Sequence, residues 1–177
     1  MKSTKMDGFG ATRRLALLMI AAFVTAGMGR PSYGQDGQVF KAPPAGYRLI
    51  GFAIGEGLTM ADFKTPRTAK DAAIGDAFAG EVIKARSAAY VVNPSACTGT
   101  GEDPTHPIVP TNLPSARDQV RAGIACSLLR FPHPIWNGAQ LIVKGEQYLS
   151  VVTSLDKKMR LVEAYTDVSQ FVATIAP

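Results

Sequence analysis

The chain has 177 residues, 46% of them hydrophobic, with 19 Lys and Arg against 14 Asp and Glu for a formal net charge of +5. The positive charge is concentrated at the start: Lys2, Lys5, Arg13, Arg14 and Arg30 fall within the first 34 residues, where Asp7 is the only acid, so residues 35–177 hold 14 cationic against 13 acidic side chains, a net charge of +1. A near-neutral body with no Lys/Arg cluster interleaved with aromatics excludes nucleic acid as the expected partner, and the basic balance is no argument for an anionic membrane.

Residues 1–34 read as a signal peptide: a basic start, an apolar run from Leu15 to Ala26, and the small-residue cleavage pattern Ser32-Tyr33-Gly34. Twelve residues in a helix cover about 18 Å, short of the roughly 30 Å hydrocarbon core, so no stable membrane anchor is expected after processing. Arg13-Arg14 resembles the pair of a twin-arginine export signal but lacks the Phe-Leu-Lys continuation. Residues 35–177 suit a single domain with a core of its own.

Residues 35–46 read as an extended arm, and Tyr47–Ile54 as a strand. Thr65-Pro66 opens a helix signal, with Thr68 and Asp71 as a capping pair and Ile74, Phe78 and Val82 recurring every four residues beside Ala77 and Ala85. Gly75 and Gly80 weaken such a helix by about 1 kcal/mol each unless something packs against its backbone, and a sheet is the expected neighbour. Ala88–Val92 reads as a buried strand.

Cys97 and Cys126 form an even pair in a chain read as exported, where a disulfide persists. Their bridge would close a loop of about 30 residues and add roughly 3 to 4 kcal/mol of stability. Redox pairs use C-x-x-C spacing and structural zinc needs four nearby ligands, so a structural bridge is the expectation. Within it Pro104, Pro107, Pro110 and Pro114 argue against regular structure. Ser115 with Asp118 resembles a second capping box, followed by Val120, Ile124 and Leu128 at helical spacing; a strand over 123–131 fits the same short apolar run.

Phe131–Gly138 reads as a turn-rich connector. AQLIVK, QYLSVVTS and MRLVEAY then read as three antiparallel strands joined at Gly145-Glu146 and Asp156-Lys157-Lys158. Thr166 is expected to cap a last helix with Val168, Phe171, Val172 and Ile175 on one face. The order is not the regular alternation of a parallel α/β fold. The expected class is α+β: a mostly antiparallel sheet with helices packed on one face, and one disulfide-closed Pro-rich loop.

Few residues suggest chemistry. Thr98-Gly99-Thr100-Gly101 resembles a phosphate-cradling loop, but Glu102 and Asp103 follow it and would repel an anion. Asp103, His106 and His133 make the one metal or acid–base cluster the sequence offers, dependent on two loops 27 residues apart meeting. No G-x-S-x-G occurs, neither Ser95 nor Ser115 has a nucleophile motif, and Glu56 is an isolated carboxylate on a glycine-flanked turn. Phe131, His133 and Trp136 share a stiff Pro/aromatic connector suited to contact with a protein or small-molecule ligand. The competing and favoured expectation for Trp136 is that it plugs the core beneath the bridged loop. No cofactor is implied. The leading expectation is an exported, non-enzymatic binding or accessory protein of the bacterial envelope or extracellular space. A small metal-dependent or acid/base hydrolase built on Asp103, His106 and His133 is the first alternative. A subunit of an envelope secretion or conjugation assembly, pairing through edge strands of the C-terminal hairpins, is the second.

Overall fold

A computed structural model describes residues 32–33, 39–53, 67–87, 90–132 and 135–176. All of them belong to the compact unit Pro31–Pro177. The elements in order are β1 (Ser32–Tyr33), β2 (Val39–Phe40), β3 (Arg48–Ala53), α1 (Ala69–Ser87), β4 (Cys97–Thr98), β5 (Val109–Pro110), α2 (Asp118–Arg130), β6 (Ile135–Lys144), β7 (Gln147–Leu155), β8 (Leu161–Asp167) and α3 (Ser169–Ala173). Strands β3-β6-β7-β8 form one antiparallel sheet in that order. The class is α+β, and Cys97 is bridged to Cys126.

Alternation along the strands gives the sheet two buried sides. On one side Ile50, Ala139, Leu141, Val143 and Val152 meet Ile74, Phe78 and Val82 of α1, Val120 and Ile124 of α2, and Phe171 and Val172 at the C-terminus. On the other, Ile142, Leu149, Val151 and Tyr165 cluster with Tyr47 and Leu49. The N-terminal arm follows that second side: the Lys41 carbonyl accepts from Gln140 Nε2 at 3.4 Å, Lys41 Nζ lies 3.6 Å from Glu163, and the Tyr47 hydroxyl donates to Gln147 at 2.7 Å.

The start of α1 is a capping box reinforced from the sheet. Thr68 Oγ1 accepts from the Asp71 N–H at 3.0 Å, and the Asp71 carboxylate accepts from the Thr68 N–H and, at 2.6 Å, from Arg48 on β3. The Arg48 guanidinium therefore holds the Asp71 carboxyl below its ordinary pKa, with Thr68 adding to the effect. Gly75 explains how closely α1 sits on β3: a Cβ there would lie 2.6 Å from the Ile50 carbonyl oxygen and 3.3 Å from Gly51 Cα. Gly80 is under no such constraint, because a Cβ there would meet nothing within 4 Å.

Several local expectations are corrected. Residues 90–92 form no strand, and Val91 is 90% exposed. Val92 packs partly buried beside Ile108, Cys126 and Ala164 instead of pairing a backbone, and the Asn93 side chain takes the Ser95 N–H to start a one-turn 3₁₀ helix at Pro94. Residues 123–131 are helical up to Arg130, so the strand alternative falls. Ser115 does not close a capping box: its hydroxyl donates to the Asp118 carboxylate at 2.6 Å, while the helix starts at Asp118 with no side-chain cap. The proline-rich loop still makes a two-residue pairing, Cys97–Thr98 with Val109–Pro110.

Two further boundaries move. Strand β6 begins at Ile135, four residues before Ala139, because the β-forming pair Ile135-Trp136 extends the ladder across an irregularity between Trp136 and Gly138. Thr166 belongs to β8, where its buried hydroxyl lies 3.3 Å from the Gly123 carbonyl and 3.2 Å from Ser127 Oγ. The N-cap of α3 is Val168, with no side-chain cap, and Asp167 just before it accepts from the Ser169 N–H at 2.8 Å.

The bridged loop lies along the outer edge of β8. Ile108 N–H donates to the Tyr165 carbonyl at 2.7 Å, Asp167 N–H to the Ile108 carbonyl at 2.9 Å, and Tyr165 N–H to the Gly101 carbonyl at 3.0 Å. That occupies part of an edge whose groups would otherwise be open to pairing. The disulfide fixes the start of the loop to α2, where Cys126 is fully buried with Ile108 and Ala164.

Candidate functional site

Two places bring together side chains with chemical capacity. The first is the turn at 103–106. Asp103 Oδ1 accepts from the Thr105 N–H (2.7 Å), the Thr105 hydroxyl (2.6 Å) and the His106 N–H (3.0 Å), and His106 Nδ1 lies 3.3 Å from both carboxylate oxygens. These bonds, led by those from Thr105, hold the Asp103 carboxyl down to about 2. The carboxylate is thus largely spent on organising its own turn. His106 is exposed, and His133 lies outside the described residues, as does Glu56. Among the described residues no group of three or more His, Cys, Asp or Glu side chains is placed to hold a metal.

The Gly99–Gly101 segment is committed in the same way. The Gly101 N–H donates to the His106 carbonyl at 2.8 Å and the Gly99 carbonyl accepts from Arg130, so these groups fold the loop and do not line up on an anion.

The second place is a cleft of about 300 Å³ where the C-terminal end of α1 and the middle of α2 face the start of β6. Ala85, Ile124, Ala125 and Leu128 supply apolar walls, and Arg86, Tyr90, Arg121 and Trp136 supply the polar groups. The Arg86 guanidinium sits over the Trp136 indole, 5.8 Å from the ring centroid. Trp136 is partly buried and packs against the main core, while its Nε1 is buried with no hydrogen-bond partner. Among the described residues, Ser150 Oγ and Thr153 Oγ1 share that condition, but both belong to the interior of β7 and neither lines the cleft. An orphaned buried donor costs about 1–3 kcal/mol.

The two arginines of the cleft are not equivalent. Arg121 Nε donates to Glu81 at 2.7 Å and Arg121 Nη1 lies 3.5 Å from Asp118. Glu81, almost fully buried on α1, also draws in Lys84 at 3.2 Å and Arg117 at 3.8 Å. This cluster ties α1 to α2 beside the cleft and consumes the Arg121 charge. Arg86 is exposed and has no carboxylate partner among the described residues.

Of the connector residues expected to form a contact surface, Trp136 lines the cleft and Phe131 packs partly buried against two core clusters. Arg86, Tyr90, Arg121 and Leu128 were missed as site residues by the sequence reading. One signal was available: Glu81 directly precedes Val82 of the apolar stripe, and a carboxylate that close to a buried face demands a cation from a neighbouring element. Exposed apolar side chains flank the lining in sequence, Val91 beside Tyr90, Leu129 (57% exposed) beside Leu128 and Ile135 (51%) beside Trp136. No helix among the described residues is long and apolar enough to cross a membrane. The chain matches no protein-family model, no curated protein and no solved structure.

Proposed function

We propose that the chain is a small exported, non-enzymatic binding domain, acting in the bacterial envelope or outside the cell, with its ligand site in the cleft between α1, α2 and the start of β6. The observation that carries this reading is the convergence there of a guanidinium with no carboxylate partner among the described residues, the indole it covers, and an apolar wall. Mostly apolar lining with a few polar groups is what small-ligand sites use. The disulfide and the basic, then apolar, N-terminal sequence support the extracytoplasmic address.

The hydrolase alternative has less support, because three hydrogen bonds already occupy Asp103 Oδ1. The assembly-subunit alternative is weakened where the bridged loop takes up the Tyr165–Asp167 stretch of β8.

Two measurements test the proposal. Protein recovered from the periplasm or medium of an expressing bacterium should lack the leader by intact mass and contain no alkylatable thiol; a full-length chain with two reactive thiols overturns the address. A thermal-shift panel of small metabolites should yield compounds that stabilise the wild type and not Ala125→Trp, which fills the cleft. Equal responses from the two proteins overturn the site.

A further inference from the structure

We infer that the cleft selects a small organic monoanion with a flat or branched apolar body, such as an aryl or branched-chain carboxylate, held by Arg86. This rests on the reading of the cleft as a ligand site and adds the class of ligand. Four features carry it. Among the described residues the lining contains two arginines and no acidic residue, which disfavours a cationic ligand. Arg121 is already matched by Glu81 and Asp118, so the charge left for a ligand is the single one on Arg86. The guanidinium stands over the indole at 5.8 Å, and a guanidinium held on an aromatic ring keeps its N–H edge available for a carboxylate. About 300 Å³ beside Ala85, Ile124, Ala125 and Leu128 accommodates one ring or a branched chain against an apolar wall. A bare inorganic anion would leave that apolar wall unused.

Trp136 is the only tryptophan of the chain, so its emission reports on the cleft directly. Fluorescence titrations of the protein as exported should compare phenylacetate and 4-methylpentanoate with phenylacetamide, benzylamine and inorganic phosphate. Saturable changes are expected with the two carboxylates, at least tenfold weaker binding of phenylacetamide, and no saturation with benzylamine or phosphate. Arg86→Gln should weaken phenylacetate at least tenfold and leave phenylacetamide unchanged, with Arg86→Lys in between. Equal affinity for phenylacetate and its amide, unaffected in Arg86→Gln, overturns the anion assignment while the cleft itself stands. Phosphate binding as tightly as phenylacetate overturns the apolar-body part. If neither carboxylate gives a saturable response, the ligand class is overturned; the comparison with Ala125→Trp then decides separately whether the cleft is a site at all.

Discussion

The bridged loop and the cleft make opposite use of their residues. The loop holds the types that chemistry favours, both cysteines, a histidine, two adjacent acids and a Gly-Thr-Gly run, and nearly all of that capacity is turned inward: the sulfurs on each other, Asp103 on Thr105 and His106, the Gly101 amide on the His106 carbonyl. The cleft holds ordinary residues, yet among the described residues Arg86 lacks a carboxylate and Trp136 Nε1 lacks an acceptor. Residue type alone therefore does not show which groups are free to act. Spare capacity depends on what surrounds a group, and a proline-rich segment without a core of its own uses its polar groups to hold its shape.

The contrast is most directly broken at the disulfide. Replacing Cys97 and Cys126 together by serine should lower unfolding stability by about 3–4 kcal/mol, read as a shift of the urea midpoint. The Trp136 emission of the folded protein should change little, since neither cysteine lines the cleft. An unchanged midpoint would mean that the loop's backbone pairing with β8 suffices and that the bridge serves something other than architecture.

Next in size is the seating of the helix that walls the cleft. Gly75→Ala places a methyl against the Ile50 carbonyl and the Gly51 backbone, which should cost about 1–3 kcal/mol as overpacking. It should also shift the Trp136 emission, because α1 carries Ala85 and Arg86 to the cleft. Gly80→Ala, with open space around the new methyl, should instead stabilise by about 0.5–1 kcal/mol. Thermal melts of the two variants should move in opposite directions.

A smaller effect belongs to the 103–106 turn. A carboxyl held down to about 2 contributes stability that is complete above its unfolded value near 4 and is lost as pH falls through the folded value. Asp103→Asn should remove that contribution to the acid limb between about pH 4 and 2. Asp71 and Asp156 are shifted in the same direction, so the readout is the difference between variant and wild type. Loss of metal affinity with no change in the acid limb would return the turn to the functional side of the comparison.

What could be read in advance follows the range of the interactions. The Thr68–Asp71 box, the Ile74, Phe78 and Val82 stripe and the Gly145-Glu146 hairpin depend on neighbours within about four residues, and all three stand. The β6 start, the placement of Tyr90 and the true surroundings of Trp136 depend on contacts across the chain. The same limit explains why Thr166 misled: a threonine before an apolar helix pattern suits a cap, but here it is the β8 residue whose methyl and hydroxyl fill the space left by Gly123 of α2. The cleft was hidden for that reason too, since Arg86 and Trp136 are 50 residues apart in sequence and meet only when α1 lies on the sheet.

The finest separation of the two regions is Arg86→Gln. An exposed side chain with a single cation–π contact should contribute no more than about 0.5 kcal/mol to folding, so the melting temperature should stay within about 1–2 °C of wild type. Trp136 emission should nevertheless change, because the charge over the indole is removed. A large drop in melting temperature would show that Arg86 staples α1 to β6 as Arg121 staples α1 to α2. The guanidinium would then be as fully committed as the Asp103 carboxylate, and the cleft would differ from the loop only in being less crowded.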